Sequence, residues 1–171
     1  MHYSLLVLAD GTKTLDEIMA PYEECWDEDS PLTVEQEEDG ETYWVNPNAK
    51  WDWWSVGGRW LGLIEASIGC HGERSAYDFE HRGLLFDRDH RPYKDGRYDV
   101  ARVCDITSLN ANMIHDVLTP DGVWHESEDY FPDGDEHGRF FVVKEGWHES
   151  LWERYVEPNG DCVAIVVDYH N

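Results

Sequence analysis

Lys50, Asp52 and Arg59 bring an ammonium, a carboxylate and a guanidinium into one short run of chain. The run lies between Tyr43 and Leu61, with five of the nine tryptophans: Trp44, Trp51, Trp53, Trp54 and Trp60. Ammonium and guanidinium groups grip phosphate or carboxylate. An indole such as Trp53 or Trp60 stacks on a base or covers a cation. With Asn46, these residues form a candidate site for a small anionic ligand such as a nucleotide. The competing arrangement is structural: Asp52 pairs with Arg59 or Lys50 and the indoles fill the core, the usual fate of tryptophan in a small domain. A structural Asp52–Arg59 pair is the expected outcome of the two.

A second group lies near the other end. Asp168 and His170 stand two residues apart, so a strand puts both side chains on one face. With His125 and Glu126 they make a candidate acid–base or metal group; the alternative is a surface pair at a chain end. In a hydrolytic site, Asp52, Asp168 and His170 are the candidates for acid–base work. Asp133, Asp135 and Gly138 open like a calcium loop, but Lys144 stands where the bidentate Glu is required, which leaves an acidic turn. His71, His81 and His90 have no ligand spacing, and no nucleotide-binding or nucleophile motif occurs. Neither metal nor cofactor is expected.

The elements that position these groups follow from pattern. His2–Ala9 and Cys162–Tyr169 are apolar on both faces and read as strands of one central sheet. Thr14 with Glu17 is a capping box for a short helix ended by Pro21. Asn46-Pro47-Asn48 is a turn, and Trp51 to Val56 alternates as a strand does. Gly57-Gly58 lets the backbone turn sharply or come close to something. Leu61–Ile68 and Gly138–Glu145 are further strands. Met113–Leu118 and Val123–His125 form a hairpin around Thr119-Pro120-Asp121-Gly122. Tyr98–Leu109 is open between helix and loop. Trp147, Leu151 and Tyr155 have helical spacing. Glu23–Glu41 and Glu126–Glu136 read as acidic loops. The expected fold is a single α+β domain over residues 1–171, with a mostly antiparallel central sheet holding both terminal strands and a few short helices.

Charge is the largest signal. Against 37 Asp and Glu stand 13 Lys and Arg, a net charge of −24. Between Glu23 and Glu41 there are ten acidic residues, and no lysine or arginine occurs between Lys13 and Lys50. Five of the nine arginines gather at Arg74, Arg82, Arg88, Arg91 and Arg97. Such a surface repels nucleic acid and anionic membranes and attracts basic partners. No apolar run is long enough to span a bilayer, and no basic region precedes Leu5–Ala9 as a signal peptide needs. Cys25, Cys70, Cys104 and Cys162 are scattered, as in a reduced, cytoplasmic setting.

Four stretches resemble a family of uncharacterised proteins common in bacteriophage and prophage genomes. They are Met19-Ala20-Pro21-Tyr22, the NPNAKWDW…GGRW run from Asn46 to Trp60, the turn from Pro120 to Glu126, and the closing Val167-Asp168-Tyr169-His170. Tyr169 stands where the family pattern has cysteine, which argues against a thiol role there. The resemblance implies a phage origin and one intact domain; it carries no activity with it. Together these readings point to an acidic, non-enzymatic binding protein that mimics nucleic acid and inhibits a host defence or nucleic-acid-handling protein. The residues expected to meet that basic partner are Glu35, Glu37, Glu38, Asp39, Asp129, Asp133, Asp135 and Glu136. The anionic-ligand site is the alternative; a phage structural component with no pocket is a third.

Overall fold

The computed structural model describes residues 1–67, 97–132 and 139–171. The first part of the chain gives strand β1 (His2–Ala9), helix α1 (Leu15–Met19), strands β2 (Val34–Glu38) and β3 (Glu41–Val45), β4 (Trp53–Val56) and β5 (Ile64–Ala66). Then come β6 (Arg97–Tyr98), β7 (Val100–Arg102), β8 (Ile106–Leu109), β9 (Asp116–Leu118) and β10 (Trp124–Glu126). Strands β11 (Glu128–Pro132) and β12 (Arg139–Val143), helix α2 (Trp147–Leu151) and β13 (Val163–His170) close the chain.

The centre is β1 against β13, antiparallel over their full length from His2↔His170 to Ala9↔Val163. Both runs are apolar at consecutive positions because both faces are covered. Odd positions (Leu5, Val7, Ile165, Val167, Tyr169) pack with Leu15 and Met19 of α1, Tyr22 and Trp51. Even positions (Leu6, Leu8, Ala164, Val166) pack with Trp147 and Leu151 of α2 and with Ile64 and Tyr98. The sheet runs β10-β9-β1-β13-β4. The outer edge of β13 is shared: Val163–Ile165 pair with β7, and Val167–His170 pair with β4. Only β1–β9 is parallel in this sheet. The chain is thus a single small α+β domain, and its mostly antiparallel central sheet holds both terminal strands, as the apolar runs require.

Several details differ from the sequence reading. The stretch expected as an acidic loop from Glu23 to Glu41 contains most of the β2–β3 hairpin. The one from Glu126 contains β11, paired with β12. Backbone pairing here needs no apolar face, so hydropathy gave no warning. Of the strand expected over Leu61–Ile68, the described residues form a strand only at Ile64–Ala66, and Tyr98–Leu109 holds the end of β6, then β7 and β8 with a 3-10 turn between them. The capping box on α1 is formed, with Glu17 N donating to Thr14 Oγ1 and Thr14 N to Glu17 Oε2. The α-helix stops before Pro21, at Met19 with Ala20 as its cap, and Pro21 sits in the first turn of the 3-10 helix Ala20–Tyr22 that follows, where its missing N–H costs nothing. The arginines from Arg74 to Arg91, the histidines His71, His81 and His90, Cys70, and Asp133, Asp135 and Glu136 lie outside the described residues. Cys25, Cys104 and Cys162 form no disulfide with one another. Among the described residues no helix is long and apolar enough to cross a membrane.

Candidate functional site

Strand alternation carries His2, Ser4, Asp168 and His170 onto the α2 face of the sheet, at the end where the apolar stripe stops. Asp168 is buried there. Its Oδ1 lies 3.0 Å from His2 Nδ1, and its Oδ2 accepts the Arg59 backbone N–H at 2.9 Å. Gly57 and Gly58 make this approach possible: both have positive φ, +69° and +53°, and a Cβ on Gly58 would stand 2.4 Å from Asp168 Cβ. His170 Nδ1 lies 2.8 Å from Asp52 Oδ1. The His2 ring packs edge-on against His170 and Trp53, with centroids 5.2 and 5.9 Å apart.

Asp168 and His170 therefore share a face, as expected, but each takes its own partner. His125 and Glu126 are not with them. His125 Nε2 is 3.1 Å from Thr119 Oγ1, and Glu126 pairs with Lys50 at 2.5 Å. The four-residue acid–base group does not assemble, because β10 is separated from β13 by β9 and β1. Among the described residues no three His, Cys, Asp or Glu side chains are grouped to hold a metal ion.

The tryptophan stretch does not gather its polar groups either. Asn46 is buried and fully used: its Nδ2 donates to Pro21 O and Glu23 O, and its Oδ1 accepts from Asn48 N. Lys50 is taken by Glu126, Asp52 by His170, and Arg59 is exposed. The expected Asp52–Arg59 pair is therefore replaced by an exposed Asp52–His170 pair. Trp51 is core, donating its Nε1–H to Met19 O at 3.1 Å. Trp53 is half exposed, and Trp60 is partly buried.

A buried carboxylate that no local spacing announces is Asp116. Tyr169 O–H and Trp124 Nε1–H both donate to its Oδ2, at 2.6 and 2.9 Å, and Ser127 N–H donates to Oδ1 at 3.2 Å. His115 Nδ1 comes within 2.9 Å of Oδ1 as an ion-pair approach, without the alignment of a hydrogen bond. Burial acts to raise the Asp116 pKa, but His115, Tyr169 and Trp124 outweigh it and hold the carboxyl below its usual range. Burial acts to lower the His115 pKa, and Asp116 and Glu128 reverse that, raising it above the ordinary histidine value. Burial, with Asp116 beside it, keeps the Tyr169 hydroxyl protonated. Tyr169 thus serves as a hydrogen-bond donor in the core.

The acidic residues occupy a different region. All five residues of β2 are exposed, including Glu35, Glu37 and Glu38. Asp39, with φ of 54°, and Gly40 turn the hairpin at its tip. At the base, Cys25 O accepts from Asn46 N directly after β3. That contact puts Trp26, 63% exposed, beside the hairpin. Trp26 was not singled out from sequence; its position among Glu23, Glu24, Asp27, Glu28 and Asp29 is the signal that marks it. Asp129 is exposed on β11 and 3.5 Å from Lys144 Nζ. Comparison with family models, curated proteins and solved structures returned no match.

Proposed function

We propose that this chain is an acidic binding protein that inserts the β2–β3 hairpin into a basic groove of a nucleic-acid-handling protein. The observation that carries the reading is the hairpin itself. Glu35, Glu37, Glu38 and Asp39 are exposed on it, and no lysine or arginine occurs in the sequence between Lys13 and Lys50. At about 3.3 Å of rise per residue, Glu35 and Glu37 stand about 7 Å apart on one face of β2. One DNA strand presents a phosphate per about 3.4 Å of axis, so these carboxylates match every second phosphate. Trp26 at the base supplies the kind of aromatic anchor on which interface energy concentrates. A phage origin, drawn from the resemblance, and a host cytoplasmic site of action, where such a partner would be met, complete this reading, with a host defence protein as the target. The anionic-ligand alternative is less well supported, because Lys50 is already paired with Glu126.

The test is capture from a host lysate by the wild type and by a variant carrying Glu35→Gln, Glu37→Gln, Glu38→Gln and Asp39→Asn. A nucleic-acid-binding protein should be retained by the wild type, released by duplex DNA and by added salt, and lost from the variant. Screening of exposed charges over about 10 Å at 0.1 M sets the salt effect. Retention that neither salt, DNA nor the variant changes would overturn the proposal.

A further inference from the structure

A cavity of about 320 Å³ opens beside the His2 end of β1, away from any residue of the acidic hairpin. Its polar lining is unfinished. Trp60 Nε1 and Ser127 Oγ are buried without a hydrogen bond and line this cavity together with His115, whose ring is held between Asp116 and Glu128. Ser127 is 2% exposed, so solvent does not satisfy it. Buried polar groups are ordinarily paired, and a group left over calls for a ligand, a water or a functional explanation.

Two further imidazoles line the same space. His148 Nδ1 lies 2.9 Å from Ala111 O, and since a carbonyl only accepts, the proton is held on that nitrogen. His2 Nδ1 faces Asp168 Oδ1 in the same way. With Nδ1 donating, Nε2 is the ring nitrogen each residue has left to offer, as an acceptor where it carries no proton, and neither Nε2 has a hydrogen-bond partner among the described residues. The inventory is then mixed. Trp60 Nε1–H only donates; the Ser127 hydroxyl donates or accepts; His2 and His148 accept. The walls between them are apolar: Met113, Ile114 and Val143.

We propose that this cavity binds a small, uncharged heteroaromatic molecule of the nucleobase type. A ring whose edge alternates donors and acceptors is the chemistry that answers this lining, with its faces against Ile114 and Met113. The volume is at the lower end for ligand pockets, which suits one ring system. An anionic form is disfavoured: the chain carries −24, and His115 and His2 are already matched by Asp116, Glu128 and Asp168, which leaves the wall no surplus positive charge to hold a phosphate.

The test follows the Trp60 indole N–H signal in ¹⁵N-labelled protein, assigned with Trp60→Phe. Adenine, cytosine, uracil and hypoxanthine are titrated to millimolar concentration, with adenosine monophosphate as the charged counterpart. At least one free base should move the Trp60 signal saturably, and the monophosphate should bind at least tenfold more weakly than adenine. Ser127→Ala should weaken the base about tenfold, the equivalent of 1.4 kcal/mol, while unfolding at or above the wild-type temperature, because its hydroxyl has no protein partner. Val143→Trp, at an exposed wall position, should fill the cavity and abolish the shift with the fold retained. No shift with any base, equal or tighter binding of the monophosphate, or unchanged binding in both variants overturns the proposal.

Discussion

Replacing Gly58 by alanine puts the close approach of the Gly57-Gly58 turn to Asp168 on trial. Two costs add. A residue with a Cβ held in the left-handed region loses about 1–2 kcal/mol. The new methyl, 2.4 Å from both Asp168 Cβ and Oδ2, must also displace something. Asp168 has little room to yield, being buried on β13 between Ser4 of β1 and Ser55 of β4. Overpacking of this kind costs about 1–3 kcal/mol. If the carboxylate is pushed off, the Arg59 N–H loses a charged acceptor, at about 1.5–3 kcal/mol more. Gly122 is the internal control: its φ is +78°, yet nothing lies within 4 Å of a Cβ placed there. Gly122→Ala should therefore lose only the backbone term, about 1–2 kcal/mol. Gly58→Ala should lose about 2–5 kcal/mol, the strain and overpacking together, and at least about 1 kcal/mol more than Gly122→Ala. Urea unfolding followed by tryptophan fluorescence measures both, with the slope unchanged as the check that only stability moved. Equal losses in the two variants would refute the reasoning, since they would mean that Asp168 does not crowd Gly58.

Two further perturbations address the Asp116 network. Tyr169→Phe removes one donor to a buried carboxylate and should cost about 1.5–3 kcal/mol in the same urea assay; a loss within error would mean that Trp124 and Ser127 suffice. The His115 pKa is raised in the fold, so its contribution is fully present below pH 6.5 and lost as pH rises through the folded value. Asp116 has the opposite sense: its contribution is present above pH 3.8 and lost as pH falls through its lowered folded value. Burial lowers the pKa of His125, which acts against His115 in the neutral range, so the comparison must be between wild type and His115→Gln. Their stability difference should shrink as pH rises above 6.5; a difference independent of pH would refute the ion-pair role of His115.

What was legible in the sequence was the part that burial writes locally. Leu5–Ala9 and Val163–Val167 are apolar at every position, and covering both faces is the reason. Thr14 and Glu17 state their own geometry, because a capping box is complete within four residues. Gly57-Gly58 announced a close approach, but the object approached, Asp168, lies over a hundred positions away and leaves no trace in spacing. The hairpin β2–β3 was missed for a different cause. VEQEE has no apolar alternation, and the signals that could have shown it are Asp39-Gly40, a favoured hairpin turn, and the strand-forming Thr42 to Val45 that follows. Lys50, Asp52 and Arg59 are close in sequence and part in space, since β4 and its flanking turns hand them to Glu126, His170 and solvent. His2, His115, His148, Trp60 and Ser127 meet at the cavity from five separate segments, which no reading of neighbours could assemble.

The pairing of β1 with β13 also fixes the order in which the molecule can be made. The partner of Ala9 is Val163, more than 150 residues later. At about 5–20 residues per second, synthesis leaves roughly 8–30 s between the two strands. Strands β9 and β10 can close one side of β1 earlier, through Leu5↔Asp116 to Val7↔Leu118. The other side of LLVLA waits, a flat apolar edge of the kind that recruits other chains. Contacts this distant also make spontaneous refolding slow. During synthesis that edge is therefore uncovered until β13 has emerged, and this is the interval in which association with other chains is to be expected.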